Sequence, residues 1–282
     1  MNTLPSPPAH IVDSLLKSCI AEDLGVTGDI TSTAIFPADH RSEGRVIARQ
    51  AGVIAGLGIG TAVFRHLDGQ VEVDVHVRDG ARVEAGTVLA TLRGDTRAIL
   101  SGERILLNIL GHLSGIASAT RDIVDRLDTS STSVADTRKT TPGLRAVEKY
   151  AVRCGGGSNH RMGLHDAVMI KDNHVAAAGG VTEALAAVQA SVGHTVSIVV
   201  EVDRLDQIED AITGGADVIL LDNLRGEELR AGVEMIDGRA VAEASGSMTP
   251  EVVVEVAASG VDIISMGWIT HSAPRLDVAL DF

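Results

Sequence analysis

The second half of the chain is punctuated by apolar runs that each end in a charged or small polar residue. These are Ser133–Lys139, Ala167–Lys171, Val196–Val202, Val218–Asn223, Ala240–Gly246 and Val261–Gly267. From Lys171 the run ends fall 30, 21, 21 and about 24 residues apart, at Glu201, Asp222, Glu243 and Gly267. Helical patterns fill the intervals, as at Val181 to Ala190 and Leu205 to Thr213. That period is one strand plus one crossover helix, which only a parallel sheet accommodates. Repeated βα units with aliphatic strands predict an α/β barrel of TIM type, complete or incomplete, in which the strand ends share one mouth.

The first half reads differently. Ile11 to Leu24 has the pattern of a short amphipathic helix, and Gly25 to Thr33 that of a polar turn region. Strand-like alternation follows in Arg45–Arg49, Val71–Val77 and Thr87–Leu92, separated by turns at Asp79-Gly80 and Ala85-Gly86. Ser101 then reads as the N-cap of a long helix with apolar positions Ile105, Leu106, Ile109, Leu110, Leu113 and Ile116. This helix is expected to hand the chain from one domain to the next, the second being the barrel.

Charge narrows the function. The formal net charge is −14, and only three Phe, one Tyr and one Trp are present. Nucleic acid is thereby disfavoured, since the chain is acidic overall and stacking platforms are nearly absent. Yet Asp136 to Val175 holds seven Lys and Arg against four acids, with three of the chain's four lysines. Cations gathered on an acidic chain suggest a confined site for a small polyanion. At the mouth Arg138, Lys139 and Lys171 would meet Glu201, Asp222 and Glu243, with Ser245-Gly246 and Gly267 offering backbone N–H groups to a phosphate. Arginine forks suit carboxylates, and the carboxylates suit Mg²⁺ better than zinc. The run Gly155-Gly156-Gly157 before His160 and Arg161 implies close approach to a ligand or to another backbone, unless it is a linker.

Several other readings fail on the residues. Gly56-Leu-Gly-Ile-Gly60 lacks the full dinucleotide fingerprint, and Val218–Asn223 lacks the second acid and the loop of the common Rossmann-like phosphoribosyltransferases. Residues 77 to 94 have the outline of a biotinyl-carrier hairpin, but no lysine occurs between Lys17 and Lys139. Cys19 and Cys154 are expected to be ordinary free thiols. The Pro-rich start, Met1 to Leu16, has no signal-peptide pattern and no transmembrane run occurs, so a cytoplasmic protein is expected.

Asp136-Thr-Arg-Lys-Thr-Thr-Pro-Gly-Leu-Arg145, Lys149 to Leu164, Ile170-Lys-Asp-Asn-His174 and Leu220-Leu-Asp-Asn223 together resemble the quinolinate phosphoribosyltransferase family. The likeness extends to Glu22-Asp-Leu-Gly, Gly28-Asp-Ile-Thr and Ser101-Gly-Glu-Arg-Ile-Leu-Leu-Asn108, and so covers nearly the whole chain. It implies an N-terminal α/β sandwich over residues 1–112, a barrel of fewer than eight strands over 113–272, and a tail, 273–282, that returns to the first domain. It also implies transfer of a phosphoribosyl group from phosphoribosyl pyrophosphate (PRPP) to quinolinate with Mg²⁺. The products would be nicotinate mononucleotide, CO₂ and pyrophosphate, for NAD synthesis. By this resemblance Arg104, Arg138, His160, Arg161 and Lys171 hold the quinolinate carboxylates, Arg104 coming from the partner of a homodimer. Lys139, Lys171, Glu201 and Asp222 are the implied catalytic group. Lys139, Glu201 and Asp222 would handle ribose, pyrophosphate and metal, the last directly or through water. Ser245, Gly246, Gly267 and His271 would surround the 5′-phosphate. Ser247 stands where the family has a second glycine, and Met266 and Trp268 flank Gly267 where smaller residues are common; both departures bear on PRPP affinity. Three alternatives stand beside this reading. One is the same-fold branch associated with molybdenum transport operons, another a barrel lyase using Lys171 as a Schiff base, and the third a non-catalytic pyridine dicarboxylate binder.

Overall fold

The computed structural model describes residues 4–67, 70–127 and 130–282; the first three residues of the proline-rich start lie outside them. The chain divides into two compact units, Met1–Arg121 with Thr141–Gly156 and Ser272–Phe282, and Asp122–Thr140 with Gly157–His271. The expected boundary at 112/113 therefore shifts to 121/122, and the excursion 141–156 leaves the expected barrel for the first unit.

In the first unit α1 (Ala9–Leu24) and α2 (Ile30–Ile35) precede β1 (Arg41–Ala48) and β2 (Gly52–Val53). Short helices α3 (Leu57–Thr61) and α4 (Phe64–Leu67) follow, then β3 (Glu72–Val75), β4 (Arg82–Val83), β5 (Val88–Asp95) and the long α5 (Thr96–Arg126). The tail strand β12 (Val278–Asp281) closes a four-stranded antiparallel sheet of order β12-β1-β5-β3, with Arg45 opposite Asp281. Thus the tail does return to the first domain. On α5, Ile99, Leu106, Leu110, Leu113 and Ile116 are all buried at helical spacing. Gly111 and Gly115 let the tail in close: Leu276 N–H donates to Gly111 O at 2.9 Å, and a Cβ on Gly115 would lie 2.1 Å from Pro274 O.

Two expectations are corrected here. Gly25 to Thr33 is not all turn, because α2 starts at Ile30 with Asp29 as N-cap, its Oδ1 accepting from Ser32 N–H at 2.9 Å. Nor does Ser101 cap α5. The helix starts at Thr96, directly after β5, and Asp95 Oδ1 accepts from Ala98 N–H at 2.8 Å; Ser101 Oγ instead donates to the Asp29 carboxylate. A cap that is also the last residue of a strand leaves no loop to betray it.

The glycines at 56–60 open the short helix α3, and their first N–H groups are already engaged within the chain. Asp79 caps that turn, accepting from Gly56 N–H at 2.8 Å, Leu57 N–H at 3.2 Å and the Tyr150 hydroxyl at 2.8 Å. Tyr150 lies on α6 (Arg145–Cys154), where Glu148 and Lys149 are fully buried and Glu148 hydrogen-bonds His112 Nε2 and accepts from Thr141 N–H. Burial, then the Asp79 charge, pushes the Cys154 thiol up to about 12, which disfavours its thiolate; burial and Glu22 also raise Cys19.

The second unit is a six-stranded parallel sheet. Its strands are β6 (Ser133–Ala135), β7 (Val168–Ile170), β8 (Ile198–Val202), β9 (Val218–Asp222), β10 (Val241–Ser245) and β11 (Ile263–Ser265), in the order β6-β11-β10-β9-β8-β7. Crossover helices are α7 (Asp172–Ala178) with α8 (Val181–Gln189), α9 (Ile208–Thr213), α10 (Gly226–Ile236) and α11 (Val253–Ala257). The first strand pairs with the last, as in a barrel, whereas β6 and β7 stand at opposite ends of the strand order. An extended stretch partly covers the free side of β6: Ser158 N–H donates to Val134 O at 2.7 Å and Asp136 N–H to Ser158 O at 3.1 Å. The barrel is therefore incomplete, as the family resemblance implies.

Candidate active site

All six strands deliver residues to one cavity of about 730 Å³ at their C-terminal ends. A flat sheet of six strands would spread those ends over roughly 24 Å at about 4.8 Å per strand. Sharing one cavity requires the sheet to curl, which is what places chemistry from distant parts of the sequence side by side. Because side chains alternate along a strand, the lining forms two tiers. Lys171, Glu201, Asp222, Ser245 and Gly267 form the rim, while Met169, Leu220, Glu243 and Ser265 lie beneath.

On the β6 and β7 side the cavity is cationic. Asp136, fully buried, accepts from His160 N–H at 2.9 Å through Oδ1 and from Asn159 Nδ2 at 2.6 Å through Oδ2, so it anchors the His160-Arg161 segment. Arg161 N–H donates to His160 Nδ1 at 2.6 Å, which leaves the imidazole proton on Nε2, 3.4 Å from Oε1 of Glu243. Glu243 is 2% exposed, and its Oε1 has no hydrogen bond among the described residues. The Arg161 guanidinium donates to Ala167 O at 3.2 Å. Burial first, and then the like charge of Arg138, lower its pKa. Two guanidiniums lining one cavity, Arg161 half-buried and Arg138 exposed, are poised for an anion.

The opposite side is mixed. Lys171 Nζ pairs with Glu201 Oε2, and Asp222 Oδ2 accepts from Asn223 Nδ2 at 2.7 Å. Lys139 is fixed by its backbone: Thr270 Oγ1 donates to Lys139 O at 2.8 Å, and Lys139 N–H donates to Thr137 Oγ1 at 3.0 Å. Gly267 is where Lys139 passes, since a Cβ there would lie 2.7 Å from Lys139 Cδ and 3.3 Å from His271 Cδ2. Among the described residues no group of three or more His, Cys, Asp or Glu is arranged to hold a metal. Glu201 and Asp222, two hard oxygen donors on adjacent strands of one cavity, fit an ion that brings most of its ligands with it as water or phosphate oxygen.

Arg138, Lys139, His160, Arg161, Lys171, Glu201, Asp222, Ser245, Gly246, Gly267 and His271 therefore all line this one cavity. Arg104 does not. It lies on α5 within the first unit, 66% exposed and 3.8 Å from Glu103. The cationic window is also only partly a site: Arg145, Lys149 and Arg153 belong to α6 of the first unit, where the Arg153 guanidinium donates to Pro5 O and lies over the Tyr150 ring. Gly155 and Gly156 serve packing. Cβ atoms there would meet Ala117 O at 2.5 Å and the Arg121 guanidinium at 2.9 Å, so neither ligand nor linker explains them. Thr137, Asn223, Met248 and Thr249 also line the cavity. Asn223 has a signal in the sequence, as an Asn following an acidic strand end is suited to the left-handed φ of +59° it adopts.

A partial parallel barrel with cations, carboxylates and a glycine-containing turn around one strand-end cavity defines a transferase-type site for polyanionic substrates. Comparison with known proteins makes this specific. Residues 29–114 match the family model for the quinolinate phosphoribosyl transferase N-terminal domain, and 116–281 that for its C-terminal domain. The chain is 44% identical over 267 residues to a probable nicotinate-nucleotide pyrophosphorylase [carboxylating] of Bacillus subtilis, covering 95% of this chain and 92% of that protein. It is 41% identical to the corresponding Mycobacterium leprae protein, covering 94% and 95%. The crystal structure of NadC from Streptococcus pyogenes superposes with a TM-score of 0.95 at 38% identity, covering 99% and 98%. The chain belongs to the quinolinate phosphoribosyltransferase family. No helix among the described residues is long and apolar enough to cross a membrane.

Proposed function

We propose that the cavity joins quinolinate to PRPP and decarboxylates the adduct, yielding nicotinate mononucleotide, CO₂ and pyrophosphate for NAD synthesis in the cytoplasm. The observation that carries this is the Arg138/Arg161 pair, whose mutual repulsion a dicarboxylate relieves, set across one cavity from Lys171, Glu201 and Asp222.

Arg138, His160, Arg161 and Lys171 would grip and orient the pyridine dicarboxylate so that its ring nitrogen faces the ribose. As the C1–pyrophosphate bond breaks, its electron pair leaves with pyrophosphate and positive charge develops on the ribose. Glu201 and Asp222 stabilise that charge, and Lys139 that of the leaving group. Mg²⁺ held by Glu201 and Asp222, directly or through water, would neutralise pyrophosphate. Attack by the nitrogen makes the ring cationic. It then accepts the electron pair released when the adjacent carboxylate departs as CO₂, and a proton takes that carbon position, so no decarboxylation cofactor is needed. Ser245, Gly246, Gly267 and His271 would surround the 5′-phosphate. Arg104, exposed on the first unit, fits a role across a homodimer interface, as a further carboxylate ligand for the partner's site. The Lys171–Glu201 ion pair offers a charged donor for an anion, which suits this chemistry better than a Schiff base.

The test is a coupled assay with quinolinate, PRPP and Mg²⁺ that follows loss of quinolinate and appearance of nicotinate mononucleotide, with nicotinate as comparison acceptor and EDTA as the metal-free arm. Product from quinolinate that disappears with EDTA supports the reading. Tight PRPP binding with no product would move the chain to the same-fold branch with another acceptor.

A further inference from the structure

The turn that follows β10 is strained. Gly246 has φ +88° and Ser247 φ +46°, both in the left-handed region, which a side-chain-bearing residue adopts only under strain. Ser245 to Thr249 all line the cavity in this conformation. Nothing in the Ser247 side chain explains the choice, so the surroundings must hold it. Two hydrogen bonds come from the neighbouring turn after β9: Asn223 N–H donates to Ser245 O at 3.0 Å, and Arg225 Nη2 donates to Gly246 O. The same guanidinium reaches back to Leu224 O at 2.8 Å through Nη1. The turns are in such close contact that a Cβ on Gly246 would lie 2.1 Å from Asn223 Oδ1. Arg225 itself is half-buried and does not line the cavity. A half-buried guanidinium that donates to one carbonyl of each turn, and pairs with no carboxylate among the described residues, acts as a brace.

We infer that Arg225 is a positioning residue for PRPP, one that clamps the Gly246 carbonyl and so keeps Ser247 in the left-handed state that shapes the phosphate end of the cavity. This rests on the function proposed above. The turn has two states: the relaxed one is favoured by the Ser247 side chain, the binding-competent one by Arg225. Apparent affinity is the intrinsic affinity scaled by the competent fraction. Without Arg225 that fraction falls, and PRPP binding weakens, while the quinolinate groups on the β6 and β7 side are untouched. Glycine at 247 carries no left-handed penalty, so it restores the competent fraction even when the brace is gone.

The experiment measures KM for PRPP, KM for quinolinate and kcat in the wild type, R225A, R225K, S247G and R225A/S247G, with circular dichroism to establish folding. R225A is expected to raise the PRPP KM about 10-fold with the quinolinate KM unchanged. R225K, retaining one donor, is expected to fall between, and S247G in the R225A background to recover most of the loss. Equal rises in both KM values, or a double variant no better than R225A, would overturn the brace while wild-type turnover stands. A folded wild type that neither binds nor uses PRPP would overturn the proposed function itself, and the brace with it.

Discussion

Replacing Arg161 with Ala tests the carboxylate grip most directly. In the unliganded protein the guanidinium sits partly buried beside Arg138, and both burial and that like charge oppose its ionised form. A substrate carboxylate bound between the two guanidiniums reverses the balance. Removing Arg161 leaves one carboxylate of the bound dianion without its counter-charge, a loss of about 3–5 kcal/mol for a desolvated pair. At about 1.4 kcal/mol per decade this weakens quinolinate binding roughly 150- to 4000-fold. Fold stability should respond quite differently. The variant loses one hydrogen bond, to Ala167 O, worth about 1 kcal/mol, but also sheds the repulsion from Arg138, and the two offset. Calorimetric titration with quinolinate and with nicotinate, together with a melting curve, reads both quantities. The expected result is a large loss for the dicarboxylate, a smaller one for the monocarboxylate, and a Tm within a few degrees of wild type. Quinolinate affinity within threefold of wild type, or a Tm drop large enough to explain the loss by unfolding, would refute the reasoning.

Gly267→Ala should leave the melting temperature nearly unchanged while raising the PRPP KM about 10-fold or more, because its Cβ displaces Lys139 and crowds His271 rather than backbone. Gly115→Ala should do the reverse, costing about 3 kcal/mol or more of stability, since its Cβ meets the Pro274 carbonyl and Arg275 Cα of the returning tail; denaturant titration reads it. Asp29→Ala should cost about 1 kcal/mol at neutral pH through loss of the α2 cap. Hydrogen bonds from Ser32, chiefly its side chain, lower the Asp29 pKa. Its contribution is therefore fully present above the ordinary carboxylate range and is lost as pH falls through the lowered value, so the Tm gap between wild type and D29A should close in acid.

The strand ends were legible because each is a one-dimensional feature, an apolar run closed by a polar residue, and a curled parallel sheet converts that order into a shared cavity. Glu201, Asp222 and Ser245 needed nothing more. What could not be read this way belongs to residues whose partners are remote in sequence. Asp95 caps a helix without an intervening loop, Gly155 faces α5 rather than a ligand, and Arg225 acts through the carbonyl of Gly246, 21 residues on. The cationic window between Asp136 and Val175 shows the same limit and also explains the open barrel. Between β6 and β7 the chain leaves the second unit, and residues 141–156 pack into the first, carrying Arg145, Lys149 and Arg153 with them. A βα unit places consecutive strands side by side only if its helix returns to cover the same sheet. Here α6 belongs to the other unit, and β7 stands at the far edge from β6, while β11 pairs with β6. The segment that follows the excursion, Ser158 to Arg161, then runs along the uncovered side of β6 with Asp136 beneath it. The gap left by the missing crossover is thus where the His160-Arg161 grip enters the cavity, and the same departure of α6 that opens the barrel gives the acceptor end of the site its cations.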